Sequence, residues 1–423
     1  MQFANYSPAA LKQAPNIQMI GDYKVEFVAY ESEGNMDKSP VMFLGGAFQS
    51  FSSFRNEVEQ MLEHCPVILA DFPSQGGNDQ LAPELDMEDF GDLIAGFLTS
   101  QGVSKVQLMG VSYGSAMATL FASAYPQMID RLLISGITCF RRESLITLLE
   151  DSLTLLDSGD MDAFATTAVC NLINHNRMED TQIGATYRRL LFRQIARLND
   201  NERQRYAQNT RRLLRFQGFK SFPTCETLIA TGEFDNFTLP QENAAVARQC
   251  VNGKFAVIRN ADHLAQFEQK SASMEVVCRF MSGQSLEGIQ GVDLYDPQAY
   301  DFANQRLQAR LRPMEQPYSL HDKATDKEHT VRISNINFSG CEIEQINVDM
   351  TLNEASDQLW LEIPETGHTY HVRILGKDKK SLRCLLMQRE MKGAEALLNY
   401  LQDHLLMVRE DQPTVEEVAG QLA

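Results

Sequence analysis

Two kinds of segment alternate along most of the first 282 residues. Short runs of consecutive apolar residues are typical of strands that are buried on both faces. Between them lie longer segments in which apolar residues recur at helical spacing, as in 87–98 and 115–124. This alternation predicts an α/β fold in which helices cover both faces of a parallel sheet. The predicted strands are Val25–Tyr30, Val41–Leu44, Val67–Asp71, Val106–Met109, Leu132–Ser135, Thr227–Ala230 and Phe255–Ile258.

The pattern changes in three later regions. From about residue 139 to 216, leucines at helical spacing replace the strand-like runs, which predicts a helical lid inserted into the α/β domain of residues 1–282. Residues 283–299 are rich in glycine and acidic residues and are predicted to be a linker. Residues 300–423 contain short strand-like runs at regular spacing, which predict a small antiparallel β-barrel, and then a helix at about 394–408.

Composition fits this two-domain organisation and narrows the function. A chain of 423 residues is long for a single core, and its net charge of −18 argues against a general affinity for nucleic acid. No apolar segment reaches the roughly 20 residues of a membrane span, and the N-terminus lacks the pattern of a signal peptide, so we expect a cytoplasmic protein. The eight cysteines show no metal-binding spacing. We therefore expect neither a catalytic metal nor another catalytic cofactor.

Ser112 lies in the sequence Gly110-Val111-Ser112-Tyr113-Gly114, between a predicted strand and a predicted helix. Gly-x-Ser-x-Gly in this position is typical of a nucleophile elbow, a sharp turn that exposes the serine hydroxyl. The flanking glycines allow the strand and the helix to pack closely. Ser112 is therefore the predicted nucleophile.

A serine nucleophile needs a base that accepts its proton and an acid that orients the base. His263 follows a predicted strand, and of the three histidines in residues 1–282 it is the one that comes after a candidate acid. Asp235 also follows a strand and is the preferred acid. Glu233 and Asp262 are alternatives, ranked lower because Asp235 is deeper in its loop and Asp262 is adjacent to the histidine.

Two backbone N–H groups are candidates for the oxyanion hole that such chemistry requires. One belongs to Tyr113, which follows the nucleophile. The other belongs to the loop Gly45-Gly46-Ala47-Phe48, most favourably to Ala47. The alternative is that these glycines make only a tight turn.

Together these features resemble the α/β-hydrolase superfamily over residues 1–282. Within it, the segments 44–54, 198–200 and 232–238 resemble the 3-hydroxyacyl-transferases of rhamnolipid synthesis. The resemblance implies an acyl ester or acyl thioester substrate, carried in the latter case by coenzyme A or acyl carrier protein. Both hydrolysis and acyl transfer remain open.

Nine arginines lie between residues 188 and 215 of the predicted lid, in a chain that is otherwise acidic. Guanidinium groups bind phosphate and carboxylate well, so these residues could receive coenzyme A or an acidic acyl carrier protein. Alternatively, they form a solvated helix face with intrahelical ion pairs. The residues are Arg188, Arg189, Arg193, Arg197, Arg203, Arg205, Arg211, Arg212 and Arg215.

Two short motifs lie in the C-terminal region: Arg306 and Arg310, separated by three residues, and the segment from Asn335 to Gly340. They resemble the PilZ domain, which binds cyclic di-GMP through Arg-x-x-x-Arg and (Asp/Asn)-x-Ser-x-x-Gly. Arg306 and Arg310 match the first motif, and Asn335 and Gly340 match the second, whereas Asn337 replaces the usual serine. The resemblance implies cyclic di-GMP as a regulatory ligand of the enzyme. The alternative is a non-enzymatic cyclic di-GMP effector that uses the hydrolase fold as a scaffold for protein interactions.

Overall fold

The computed structural model describes residues 1–408 except 36, 139–140, 182, 301–309, 314, 346–357 and 378–380. It divides into two compact units. The first contains residues 1–159 and 171–305, and the second contains residues 160–170 and 306–423. The division therefore falls inside the predicted lid as well as near residue 305.

The strands of the first unit form one large sheet. Numbered along the chain, they are β1 (Ala4–Asn5), β2 (Asn16–Ile20), β3 (Tyr23–Glu31), β4 (Val41–Leu44), β5 (Val67–Asp71), β6 (Val106–Val111), β7 (Ile129–Ser135), β8 (Glu226–Gly232), β9 (Asn252–Ile258) and β10 (Val292–Tyr295). Their order is β1-β3-β5-β4-β6-β7-β8-β9-β10, and β2 also pairs with β3. The central strands, from β5 across β4 to β9, are parallel, whereas β3 and β10 join them antiparallel.

Helices cover this sheet on both faces. Numbered along the whole chain, the helices are α1 (Arg55–Met61), α2 (Asp89–Ser100), α3 (Tyr113–Ala124), α4 (Glu143–Ser158), α5 (Met161–Leu172), α6 (Met178–Thr181), α7 (Ala185–Ala196), α8 (Asp200–Arg215), α9 (Pro240–Gln249), α10 (Ala265–Glu268), α11 (Lys270–Met281) and α12 (Met391–Val408). Phe90 of α2 and Phe121 of α3 belong to the core on one face, and Val58 of α1 and Phe280 of α11 belong to the core on the other. The predicted α/β fold is confirmed.

The predicted helical insertion contains α4 to α8, and its last helix has a clear start in the sequence. The Asn199 side chain accepts the backbone N–H of Glu202, and the Glu202 carboxylate accepts the N–H of Asn199. This capping box satisfies N–H groups that the first helical turn leaves unpaired. α8 then runs for 16 residues and packs against α4.

The second unit contains a closed antiparallel barrel of six strands among its described residues. The strands are β11 (Tyr318–Asp322), β12 (Lys327–Asn337), β13 (Gly340–Gln345), β14 (Leu359–Ile363), β15 (His368–Lys377) and β16 (Ser381–Met387), in the order β11-β12-β13-β16-β15-β14. Alternate residues of β14 are buried, as the period of a half-buried strand requires. The Thr167 hydroxyl of α5 donates to the backbone carbonyl of Gln388 within this unit.

Four strands of the structure, β1, β2, β10 and β11, were not predicted from the sequence. Residues 283–299, expected to be a linker, contain β10, which pairs with β9. This strand was not predicted, because it has only four residues, includes an aspartate and follows a glycine-rich stretch. Strand β11 was also missed, because it is only five residues long and contains a histidine and an aspartate. Among the described helices, none has both the length and the apolar character to cross a membrane.

Candidate active site

Ser112 lies at the sharp turn between β6 and α3. Its backbone has φ 50° and ψ −115°, a conformation that L-residues rarely adopt. A Cβ atom at Gly114 would lie 2.3 Å from the Leu44 carbonyl oxygen, and one at Gly110 would lie 2.6 Å from the Gly114 carbonyl oxygen. Both glycines are therefore required by close backbone packing, as the elbow motif predicts.

His263 connects Ser112 to Asp235. Its Nε2 atom lies 3.4 Å from Ser112 Oγ, and its Nδ1 atom lies 2.9 Å from Asp235 Oδ2. Asp235 is almost fully buried, and its carboxylate also accepts the backbone N–H groups of Phe237 and Thr238 and the hydroxyl of Thr238. These donors hold the carboxylate in one orientation.

The two alternative acids point elsewhere. Glu233 accepts the backbone N–H of Asn260, and Asp262 accepts the backbone N–H groups of Asn174 and Leu264. Of the three candidate acids, Asp235 is the one whose carboxylate hydrogen-bonds to the His263 ring.

Burial alone would lower the pKa of His263, but the Asp235 carboxylate, through its charge and its hydrogen bond, raises the pKa of the ring above its ordinary value of 6.5. The bond to Asp235 also favours the tautomer that carries its proton on Nδ1. In that tautomer, Nε2 is a proton acceptor directed at Ser112.

Gly136 makes room for the histidine and was not recognised in the sequence. A Cβ atom at this position would lie 2.8 Å from His263 Cε1, and the backbone has φ +75°. Thr238 was also missed. A glycine or a threonine beside a loop is common, so neither residue type carries a distinctive sequence signal.

The glycine-rich loop after β4 lies beside the nucleophile. A Cβ atom at Gly46 would lie 3.1 Å from Ser112 Cβ, and the Gly46 N–H donates to Gln49 Oε1 at 2.7 Å. Ala47 is exposed in the same loop, and Tyr113 is the first residue of α3, where N–H groups lack helical partners. The assignment of Ala47 and Tyr113 to an oxyanion hole stays a prediction.

Behind the histidine, Asp262 and Glu268 form a buried acidic pair that sequence reasoning missed. The backbone N–H of Asp262 donates to Glu268 Oε2 at 2.6 Å. Burial, together with the facing Asp262 carboxylate, raises the pKa of Glu268 to about 10, and burial also raises the pKa of Asp262. Two adjacent carboxyl groups of this kind hold a proton between them at neutral pH.

Arg212 in α8 is fully buried and joins the lid to the loop after β5. Its guanidinium donates to the backbone carbonyls of Leu81, Ala82 and Leu85, and it lies 5.2 Å from the Phe90 ring centroid. Because all of these acceptors are internal, Arg212 is a structural anchor and not part of a ligand-binding cluster.

The remaining eight arginines of residues 188–215 divide into three groups, one of which consists of the half-buried Arg188 and Arg205. Arg203, Arg211 and Arg215 form ion pairs with Asp200, Asp157 and Asp86, respectively. Arg189 and Arg193 of α7 and Arg197 at its end are exposed. The nine arginines therefore do not form one site.

In the barrel, the two predicted nucleotide-binding motifs are brought together at Arg310 and Asn335. Leu311 and Ile336 exchange backbone hydrogen bonds of 2.8 Å, which places their neighbours side by side, and Arg310 Nη1 donates to Asn335 Oδ1 at 3.3 Å. The Asn337 side chain accepts the N–H groups of Ser339 and Gly340 in the β12–β13 turn. Arg306 lies outside the described residues.

No group of three or more His, Cys, Asp or Glu side chains is arranged to hold a metal ion within the described part of the chain. The Ser112 site has the parts of a nucleophilic centre: a half-buried serine at a sharp turn, a base beside it and a buried acid behind the base.

Residues 39–270 match the family described as alpha/beta hydrolase fold, which is more than half of the chain. The protein therefore belongs to the α/β-hydrolase family. The match ends at residue 270, so the resemblance of the C-terminal unit to PilZ stays a prediction.

Among individual proteins, the chain is 22% identical over 297 residues to the (R)-3-hydroxydecanoyl-ACP:CoA transacylase of Pseudomonas aeruginosa, in an alignment that covers 67% of this chain and 93% of that protein. Two solved structures share the fold. MGS-M2, an α/β-hydrolase enzyme from a Medee basin deep-sea metagenome library, is 18% identical with a TM-score of 0.56, and the match covers 65% of this chain and 100% of MGS-M2. The enol-lactonase of Burkholderia xenovorans LB400 is 14% identical with a TM-score of 0.52, and the match covers 63% and 100% of the two chains.

Proposed function

We propose that this protein is a serine-dependent acyltransferase or acyl hydrolase that acts on acyl thioesters or esters, with 3-hydroxyacyl chains as its preferred acyl groups. The observation that carries the proposal is the continuous chain of contacts from Ser112 Oγ through His263 to Asp235. The transacylase relative supports the acyl substrate class, because the alignment spans nearly all of that protein.

In the first half-reaction, Ser112 Oγ attacks the acyl carbonyl carbon while its proton moves to His263 Nε2. The negative charge on the carbonyl oxygen is stabilised by backbone N–H groups, for which Tyr113 and Ala47 are the candidates. When the intermediate collapses, the carbon–sulfur or carbon–oxygen bond to the leaving group breaks. His263 returns the proton to the departing sulfur or oxygen, and the acyl group remains on Ser112.

In the second half-reaction, an acceptor attacks the acyl carbon of the acyl-enzyme while His263 removes the acceptor's proton. The bond between the acyl carbon and Ser112 Oγ then breaks, and His263 delivers the proton to Ser112 Oγ. A thiol acceptor such as coenzyme A gives transfer, whereas water gives hydrolysis. Asp235 remains ionised throughout and stabilises the imidazolium that forms in each half-reaction. Transfer is the first choice here because the relative is named as a transacylase.

The test is a turnover screen of 3-hydroxyacyl and unsubstituted acyl thioesters of increasing chain length, each with coenzyme A or water as the acceptor. The wild type should form an acyl-enzyme on Ser112 that is visible by intact-protein mass spectrometry, and Ser112→Ala should form none. Ser115→Ala is the matched control, because the Ser115 hydroxyl donates to the Gly110 and Ser135 carbonyls behind the elbow. Equal turnover by Ser112→Ala and the wild type would disprove the nucleophile assignment.

We further propose that the barrel binds cyclic di-GMP and that the nucleotide regulates turnover. The contact between Arg310 and Asn335 supports this proposal, because it joins two motifs that are 25 positions apart in the sequence. A guanidinium at such a position can stack on guanine and pair with phosphate. Asn335 also lies at a register shift in β12, where a bulge redirects side chains.

Titration calorimetry with cyclic di-GMP tests the barrel site. We expect binding to the wild type, a loss of about tenfold or more in Arg310→Ala, and little change in Arg312→Ala, which removes an exposed arginine two residues away. An absence of heat with the wild type would refute the sensor, and unchanged turnover at saturating nucleotide would refute the regulation. Nucleotide binding without any acyl turnover would favour the non-enzymatic effector.

A further inference from the structure

Three arginines lie at intervals of four residues along the exposed side of α7. Arg189 and Arg193 are within the helix, and Arg197 is the residue that caps its carboxyl end. Residues four apart share one face of a helix and rise by about 6 Å, so this α7 arginine stripe extends roughly 12 Å. Leu190, which is 56% exposed, adds an apolar contact surface beside it.

The stripe lacks acidic partners within the described part of the chain, in contrast to Arg203, Arg211 and Arg215. The segment 185–197 contains no aspartate or glutamate. Among the described residues, none of the three arginines has a carboxylate within salt-bridge distance, whereas Arg203, Arg211 and Arg215 each have one. In a chain with a net charge of −18, unpaired cations on one exposed face form a local site for an anionic partner.

Helix α7 also spans two loops of the candidate active site. Near its start, the Tyr187 ring lies 5.9 Å from the ring of Phe267, which is four residues beyond His263. Near its end, Gln194 Nε2 lies 3.4 Å from the Phe48 carbonyl oxygen in the glycine-rich loop. The stripe is therefore on the outer side of a helix that joins the base loop to the candidate oxyanion loop.

We infer that the α7 arginine stripe is the docking surface for an acidic acyl carrier protein that delivers the acyl thioester to Ser112. This inference rests on the proposed function and adds a partner and a surface to it. An acidic partner protein presents several separate carboxylates, which can pair with arginines that are spread over about 12 Å. The phosphates of coenzyme A are compact and would need converging donors in a cleft, whereas these arginines are spread along a convex helix.

The negative charge of the rest of the chain makes such a stripe selective. An acidic carrier protein is repelled by most of an acidic surface and is attracted where unpaired arginines are concentrated, so the approach is oriented. The three arginines are exposed to solvent, so salt screens their attraction for a partner. The screening length is about 10 Å at 0.1 M ionic strength. Docking should therefore weaken steeply as salt is added.

Binding can be measured without turnover by using Ser112→Ala. The probe is a purified bacterial acyl carrier protein with a 3-hydroxydecanoyl thioester, and fluorescence anisotropy at low ionic strength is the readout. In this background, the triple change Arg189→Gln, Arg193→Gln and Arg197→Gln should raise the Kd about tenfold or more and flatten its salt dependence. The corresponding triple change to lysine should restore most of the affinity, because it restores the charge.

The matched control is the triple change Lys38→Gln, Lys105→Gln and Lys254→Gln. It removes the same total charge near the amino ends of β4, β6 and β9. Ser112 follows the carboxyl end of β6, so these lysines lie at the opposite ends of the strands. We expect the control to change the Kd less than twofold. Circular dichroism melting would verify that all variants are folded.

The outcomes separate docking from catalysis. A Kd for the arginine-to-glutamine variant within twofold of the Ser112→Ala parent would overturn the docking surface. An equal loss of affinity in the control with Lys38, Lys105 and Lys254 changed to glutamine would also overturn it. A loss of coenzyme A binding with retained carrier-protein binding would overturn it in favour of a phosphate site. Carrier-protein binding that depends on the stripe, in an enzyme without acyl turnover, would support the docking surface while refuting the proposed catalysis.

Discussion

The Asp262 carboxylate turns away from its sequence neighbour His263 and lies in a buried pocket with Glu268. The backbone N–H of Asp262 donates to Glu268 Oε2, and the Asp262 carboxylate accepts the N–H groups of Asn174 and Leu264. The pair thereby ties the histidine loop to the end of α10, where Glu268 lies, and to Asn174 in the lid. It excludes Asp262 from the role of the triad acid and gives it a structural role.

Glu268→Gln should reduce the pH dependence of stability. The pKa of Glu268 is about 10 in the folded protein and near 4.5 in an unfolded chain, so the folded state holds an extra proton between these values. The contribution of Glu268 to stability is therefore fully present below pH 4.5 and declines as pH rises through this window. The carboxylates of Asp262 and Asp235 face the same pocket and also raise the pKa of Glu268. Tyr187 faces this pocket too, and its pKa is raised by burial and by Glu268 and Asp262. Glutamine mimics the protonated acid and should make the protein more stable at pH 9 by about 1–3 kcal/mol.

Thermal melting between pH 5 and pH 9 would measure this effect. Glu63→Gln is the control, because it removes a carboxylate that is exposed to solvent. Identical pH profiles for the wild type and Glu268→Gln would contradict the shared-proton interpretation.

Asp235→Asn should impair catalysis and shift its pH profile. The Asp235 carboxylate raises the pKa of His263, and without it burial lowers that pKa. The base must be neutral to accept the Ser112 proton, so the acid limb of kcat/KM should move to lower pH. The value of kcat should fall by about 10² to 10⁴ because the histidine loses its orientation. Glu233→Gln should have no comparable effect, and a larger loss in Glu233→Gln would reverse the assignment of the acid.

Gly76→Ala should destabilise the first unit by about 2–4 kcal/mol. Gly76 has φ +47°, and an added Cβ would lie 1.9 Å from Oδ2 of the buried Asp71. Gly102→Ala is the matched control, because Gly102 has φ +69° with nothing within 4 Å of the added Cβ. It should cost about 1–2 kcal/mol from backbone strain alone. Urea unfolding would compare the two, and equal losses would show that the Asp71 pocket has room to relax.

Arg212→Ala should cost about 2–4 kcal/mol, because the buried guanidinium donates charge-assisted hydrogen bonds to three backbone carbonyls and packs on the Phe90 ring. The adjacent Arg211 is exposed, and its ion pair with Asp157 is 3.9 Å long, so Arg211→Ala should change stability by less than about 0.5 kcal/mol. Denaturant unfolding of both variants would measure the difference. Similar losses for the two would show that α8 is not anchored through Arg212.

Much of the fold was predictable, because buried parallel strands leave a strong local pattern. All seven strands predicted in the first unit correspond to strands of the sheet, and the order of Ser112, Asp235 and His263 along the chain gave the candidate site. The short strand β10 was not predictable. Its residues Asp293 and Tyr295 would suit a loop equally well, and only pairing with β9 makes them a strand.

The environment of the site was harder to predict, because it depends on contacts between distant segments. Nothing near Arg212 in the sequence distinguishes its buried guanidinium from the exposed one of Arg193. Gly136 likewise acquires its importance only when the His263 ring packs on it. Residues that act through shape or desolvation carry no motif, whereas residues that act through chemistry often do.

The grouping of residues 160–170 with the C-terminal part of the chain has a practical consequence for protein engineering. No single cut in the polypeptide separates the two units, because the chain passes from the first to the second, back to the first and again to the second. A protein that stops at residue 305 would keep α5 but lose Gln388, whose carbonyl accepts the Thr167 hydroxyl. Activity lost on such a truncation would therefore reflect damaged packing as readily as lost nucleotide control, and point substitutions in the barrel are the cleaner experiment.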